Sequence, residues 1–205
     1  EAIMDITVLG AAGGTGMQVV QQARAAGHSV TALVRSPEKM PVTDPQLRVV
    51  QGDATDQASV TRALEGADAV ISTLDAPGPV IAEATRAILG AANADDAPRV
   101  VMMSSFAGQR DRLTRVAKLL TSATTGAKMK DKAAGEEALR ASKLRWTIVY
   151  ATLLTNGPRE GVKVVPESAK VGMSDRISRA DAASFLLEAA TTGDYDRRSV
   201  LITGA

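Results

Sequence analysis

The chain has 205 residues, 45% hydrophobic and 23% charged, with a formal net charge of +1: ordinary globular usage, enough for one well-buried domain and short for two. Near-neutrality removes the electrostatic case for nucleic acid or an anionic membrane as partner. Having no cysteine and a single histidine, His28, the chain offers no disulfide scaffold, thiolate site or multi-histidine metal centre.

Ile6–Leu9 reads as a first apolar strand that runs straight into a glycine-rich turn, Gly10 to Gly16. A helical pattern follows from Met17 to Ala26, with Val19, Val20 and Ala23 on one face, and Gly27 stops it. His28, following Gly27 at that helix end, is expected to have either a surface role or a C-terminal dipole role rather than a catalytic one. Ser29–Val34 is a second strand, after which Pro37, Pro41 and Pro45 impose loop, and Leu47–Gln51 is a third. A helix over Asp56–Leu64 precedes a fourth strand, Ala69–Thr73. Pro77-Gly78-Pro79 then punctuates before an alanine-rich helix, Val80–Ala92, and a fifth strand, Arg99–Met103, ending in Ser104-Ser105. A helix over about 128–142, a strand over Trp146–Tyr150 and a loop-rich stretch come next. Ser178, with Asp181 three residues on, then opens a helix as a capping-box-like start, and Ser199–Ile202 is the last strand.

Continuous apolar strands alternating with helices specify an α/β fold: a doubly wound parallel sheet, the Rossmann arrangement, in a single domain over residues 4–205. Met4 is a candidate initiator, and residues 1–3 stand outside the functional reading. Beyond Tyr150 too little chain remains for a separate substrate domain. Such sheets bind ligands at the carboxyl ends of their strands, here the turn after Leu9, the loop at Leu74 and Asp75, and the Ser104-Ser105 corner.

The glycines of Gly10-Ala11-Ala12-Gly13-Gly14-Thr15-Gly16 are spaced G-x-x-G-x-x-G between a strand and a helix. That context suits a tight turn whose N–H groups and helix amino end face a pyrophosphate, with Gly10, Ala12, Gly13, Gly14, Thr15, Gly16 and Met17 as cofactor-binding residues. The other reading is a turn that serves helix–strand packing alone. Past the second strand, where an NAD site wants a carboxylate, stand Arg35, Ser36 and Lys39. A guanidinium, a hydroxyl and an ammonium suit the 2′-phosphate of NADP(H), unless the two cations are merely solvated charges. Asp53, with Ala54 beside it, is placed to meet the adenine amino group or else to fix its own turn.

Together Gly10-x-x-Gly13-x-x-Gly16, Val34-Arg35, Gly52-Asp53, Asp68-Ala69-Val70-Ile71 and Ser104-Ser105 resemble the atypical short-chain dehydrogenase/reductases of the NAD(P)-binding, NmrA-like group. The tail, Arg176 to Asp181 followed by Thr191 to Asp196, is similar to the flavin- and biliverdin-reducing branch of that group. The resemblance implies NADPH across the strand ends, its nicotinamide near Ser105, which takes the catalytic position, with Ser104 and Lys132 among the cofactor residues. It also marks a departure. Lys132 stands in the lysine place of a Tyr-x-x-x-Lys helix, but Lys128 stands where the tyrosine belongs, and neither Tyr150 nor Tyr195 lies in such a motif.

Reducing an isolated ketone leaves an alkoxide that needs a proton donor close by. Hydride delivered to a flavin or a tetrapyrrole bridge leaves a delocalised anion that water can protonate, so positioning matters more than acid catalysis. The reading is therefore an NADPH-dependent reductase of a small conjugated acceptor. Its alternatives are a non-catalytic NADP(H) sensor acting through a protein partner and, less well matched, a sugar-nucleotide epimerase or dehydratase. Phe106, Tyr150, Ala151, Thr152 and Leu153 are the expected pocket walls, with Trp146 and Met102 in the core. In the resembled relatives a proline-rich turn follows that sixth strand; Ala151-Thr152 replaces it here.

The basic stretch from Phe106 to Lys132 is either an anion-attracting rim or an amphipathic helix with Leu113, Val116, Ala117 and Leu120 on its apolar face. A cytoplasmic protein, monomeric or weakly self-associating, without metal, membrane or nucleic-acid partner, completes the expectation.

Overall fold

The computed structural model describes residues 2–40, 44–92, 97–122 and 126–205. Its main sheet has eight strands. β1 (Asp5–Leu9), β2 (Ser29–Val34), β3 (Leu47–Gln51), β4 (Ala69–Ser72), β5 (Arg99–Ser105) and β6 (Trp146–Ala151) are its first six in chain order. Three-residue strands β7 (Leu153–Thr155), β8 (Val162–Val164) and β9 (Arg176–Ser178) precede β10 (Arg198–Gly204). Sheet order is β3-β2-β1-β4-β5-β6-β10-β8, all parallel except β8 against β10, while β7 and β9 form a separate parallel pair. The chain thus winds outward from β1 in both directions, and the order reverses between β1 and β4. That crevice is where doubly wound folds take their ligands.

Helices α1 (Gly14–Ala25), α2 (Gln57–Leu64), α3 (Val80–Ala91), α4 (Arg115–Ser122), α5 (Gly126–Ala141) and α6 (Arg179–Thr192) cover the sheet. α1 packs with α6 on one face; α2, α3 and α5 pack in series on the other. Strand alternation feeds both layers: Ile6 and Val8 lie in the core under α1 and α6, Leu9 in the core under α2 and α3. Buried Val, Leu and Ile side chains at about 1.5–3 kcal/mol each dominate the stabilisation of both layers.

The helix starts are set by particular side chains. Asp56 caps α2 by accepting the Ser59 N–H at 2.9 Å. The uncapped start of α3 is served from outside, by the Asp131 carboxylate of α5, which accepts the N–H groups of Ile81 and Ala82 at 2.9 Å. Ser178 caps α6 through the Asp181 N–H at 2.9 Å, as the tail motif implies. Asp181 in turn accepts the main-chain N–H groups of Glu160 and Gly161 at 3.0–3.1 Å.

Several sequence expectations are corrected. α1 begins at Gly14 rather than Met17, because Gly13 is its N-cap and the Met17 N–H already bonds the Gly13 carbonyl at 2.8 Å. β5 runs on through Ser105, pairing Ser104 with Tyr150 and Ser105 with Ala151. The loop-rich stretch holds β7, β8 and β9, each too short to show a period. His28 is buried, not at the surface, and its Nδ1 accepts the Met4 N–H at 3.3 Å. On α4, Ala117 is buried with the preceding Leu113, but Val116 and Leu120 are exposed together with Leu119. The break at Pro41 lies outside the described residues.

Candidate functional site at the carboxyl ends of the strands

The turn after β1 meets the turn after β4. Gly10 has φ +79, and a Cβ there would lie 2.9 Å from Thr73 Oγ1 and 3.1 Å from the Thr73 carbonyl carbon. Thr73 donates to the Leu9 carbonyl from both its N–H (3.0 Å) and its hydroxyl (3.2 Å), tying the two strand ends together. Gly13 closes the turn onto the Gly10 carbonyl at 3.0 Å. A Cβ on Gly16 would lie 2.1 Å from that same oxygen, so only glycine lets α1 approach β1 this closely. The first turn of α1 has neither a side-chain cap nor an acidic residue. Its orphan N–H groups and positive dipole end are left to an anion, as a dinucleotide pyrophosphate requires.

Along the outer rim, Arg35 and Lys39 are exposed and Ser36 half-buried. Neither cation has a carboxylate partner among the described residues. Asp53 accepts the Thr55 N–H at 2.9 Å and the Thr55 hydroxyl at 2.8 Å through one oxygen. Those bonds, with the Arg35 charge nearby, hold its carboxyl below the usual range. Asp53 therefore fixes its turn with one oxygen, and the other oxygen is the one left for a ligand.

The inner end is built on α5 and β5. Ser105 accepts the Ala107 N–H at 3.3 Å, which leaves its own hydroxyl proton to give. Lys128 and Lys132, one helical turn apart, both reach Asp75 Oδ1, at 2.7 and 3.2 Å; Lys132 is buried and Lys128 half-exposed. Burial raises the Asp75 pKa, but the Lys128 hydrogen bond and the two ammonium charges outweigh it and keep the carboxyl below its ordinary value.

Behind this end lies a closed polar cluster. Ser104 donates to Glu136 at 2.6 Å, Tyr150 donates to the other Glu136 oxygen, and Arg140 donates to Tyr150 at 2.6 Å and to Glu136 at 3.2 Å. Burial, then Glu136, pushes the Tyr150 phenol well above its ordinary pKa, so it stays protonated with its proton committed to Glu136.

These elements enclose a cleft of about 1260 Å³. It brings together Gly10, Ala12, Gly13, Gly14 and Thr15 of the turn, Arg35, Ser36, Lys39, Asp53 and Ala54 of the rim, and Leu74, Asp75, Ser104, Ser105 and Lys132 within. Phe106, Ala151, Thr152 and Leu153 also line it. Gly16, Met17 and Tyr150 do not: Gly16 serves packing, Met17 packs against the core, and Tyr150 faces the polar cluster. Thr73, Val80, Glu83, Met103 and Arg179 line the cleft without having been read from the sequence. Arg179 carried a signal. A cation in the first turn of a helix opposes the macrodipole, which marks a residue placed for another purpose.

A family described as NAD(P)H-binding matches residues 10–192. Among solved structures, a wide-type short-chain dehydrogenase/reductase from Veillonella parvula in complex with NADP superposes with a TM-score of 0.85 at 20% identity, over 100% of this chain and 95% of that one. ChuY, an anaerobilin reductase from Escherichia coli O157:H7, gives 0.82 at 21% identity over 97% and 96%. A candidate NADH-flavin reductase from Streptococcus pneumoniae gives 0.75 at 22% identity over 98% and 100%. At these identities the likeness speaks for the fold.

Proposed function

The chain belongs to the NAD(P)H-binding family, and on that premise we propose that it is an NADPH-dependent reductase passing hydride to a flavin or a similarly conjugated small molecule. One observation carries the reading. The position of a tyrosine acid is held by Lys128, salt-bridged to Asp75, and the phenol of Tyr150 is turned into the Glu136 cluster. A cleft without a phenolic donor suits an acceptor whose reduced form takes its proton from water. That solved relatives in fold include an anaerobilin reductase and a candidate flavin reductase supports the choice of acceptor class.

When bound, NADPH supplies the hydride; the protein supplies place and surroundings. The glycine turn and the α1 amino end would hold the pyrophosphate, and Arg35, Ser36 and Lys39 the 2′-phosphate. Lys132, pinned by Asp75, would meet the hydroxyls of the inner ribose. Ser105, whose oxygen already accepts the Ala107 N–H, would donate its hydroxyl proton in a hydrogen bond to a carbonyl in the cleft. Met103, Phe106 and Ala151 line that end with apolar side chains against which a flat conjugated ring can pack.

The test is loss of nicotinamide absorbance with FMN, riboflavin and biliverdin offered separately and NADH as the control donor. Turnover that prefers NADPH is expected. Tight NADPH binding without turnover on any of the three would overturn the reductase in favour of a sensor. Ser105→Ala is expected to lower kcat by about 10- to 100-fold with NADPH affinity unchanged, and an unaltered kcat would remove Ser105 from the chemistry. Tyr150→Phe is expected to cost about 1–3 kcal/mol of stability in urea unfolding, because Glu136 loses a donor, yet to keep kcat within about twofold. Loss of turnover at intact fold would restore a tyrosine acid and defeat the reading.

A further inference from the structure

Arg179 is the first residue of α6, yet its side chain lies across the glycine turn at the other end of the chain. A Cβ on Gly14 would sit 2.9 Å from Arg179 Cδ and 3.0 Å from its Nε. Gly14 is the one glycine of the turn that the G-x-x-G-x-x-G spacing does not use, and the crossing of Arg179 accounts for it. The start of α6 is held in register with α1 by Gln22, whose amide donates to the Ala180 carbonyl at 2.8 Å.

The guanidinium has one hydrogen-bond partner among the described residues, the neutral Asn156 Oδ1 at 2.8 Å, and no carboxylate. It is only partly exposed and lines the cleft beside the uncapped α1 amino end. A cation at the first turn of α6 works against that helix's dipole. The arrangement becomes favourable once a dianionic group lies between Arg179 and the α1 N–H groups.

We infer that Arg179 is a phosphate clamp for the dinucleotide: the tail supplies a guanidinium that crosses Gly14 and meets the pyrophosphate beside the α1 amino end. Through Asn156 the same side chain couples the bound pyrophosphate to the 156–161 loop, whose other end is held by Asp181. The inference rests on reading the glycine turn as the pyrophosphate seat. It differs from the role proposed for Arg35, because the pyrophosphate is common to NADPH and NADH while the 2′-phosphate is not.

The test titrates NADPH, NADH and adenosine 2′-monophosphate onto the full chain and its variants, by nicotinamide fluorescence or calorimetry. Arg179→Gln is expected to weaken NADPH and NADH by the same factor, about 10- to 100-fold, and to leave adenosine 2′-monophosphate unchanged. Arg179→Lys, which keeps the charge and loses the fork, is expected to weaken both dinucleotides about three- to tenfold. Wild-type affinity in either variant, or a loss confined to NADPH, overturns the clamp. Failure of the unmodified chain to bind either dinucleotide would instead overturn the cofactor reading on which the clamp rests.

Discussion

Gly16→Ala is expected to abolish measurable NADPH binding and to destabilise the chain by several kcal/mol. The added methyl would meet the Gly10 carbonyl oxygen at 2.1 Å, the Gly10 carbonyl carbon at 2.8 Å and Ala11 Cα at 2.9 Å. All three are backbone atoms, so no rotamer relieves the clash; α1 must move off β1. Overpacking of this kind costs about 1–3 kcal/mol or more, against a total stability of about 5–15 kcal/mol for a domain. The displacement also pulls the first-turn N–H groups of α1 away from their anion. Gly126→Ala is the matched control, since a Cβ there meets nothing within 4 Å. Urea unfolding and NADPH titration of both variants measure the effect. Native-like binding by Gly16→Ala would show that the turn is not the phosphate seat.

The second large effect is one of selectivity. Arg35→Asp is expected to weaken NADPH by about 100-fold or more while changing NADH by less than about threefold. A guanidinium–phosphate contact contributes about 1.5–3 kcal/mol, and the new carboxylate adds repulsion toward the 2′-phosphate. Among the described residues Arg35 has no carboxylate partner to release when it turns to a ligand, so little offsets the loss. The contact is exposed. Added salt should therefore narrow the wild-type preference for NADPH and leave NADH binding nearly flat. Equal weakening of both cofactors would sink the 2′-phosphate assignment and return Arg35 to the solvated surface.

Much of this was legible in the sequence because strands buried on both faces leave mainly apolar runs, as β1, β4, β5 and β6 do and β2 does from Ala32 to Val34. The glycine turn was legible because its spacing sits between a strand and a helix. Other features were not. A three-residue strand such as β7 or β9 is too short for a period of two to show. Tyr150 was read as a pocket wall beside Ala151, yet neighbours on a strand face opposite sides: Ala151 lies with Val149 and Val101, Tyr150 with Ile148 and Leu139. The same parity commits the Ser104 hydroxyl to Glu136 and leaves the Ser105 hydroxyl outside that cluster, although both residues line the cleft. Val116 and Leu120 have helical spacing with Leu113, but this eight-residue helix buries Ala117 and leaves them exposed, with no layer over them among the described residues. Arg179 was hidden by distance. Two motifs 165 residues apart, at positions 14 and 179, meet only in the folded chain.

The way Asp181 holds the loop at Glu160 and Gly161 bears on how the protein can diversify. Its carboxylate grips main-chain N–H groups, so the path of the loop is indifferent to which side chains it carries. Gly157, Pro158, Arg159 and Glu160 are all exposed. Drift or a library over these four positions can therefore change the surface this loop presents while the scaffold and the nucleotide seat keep their shape. A fold that anchors a peripheral loop by its backbone has separated the part of its sequence that may change from the part that must not.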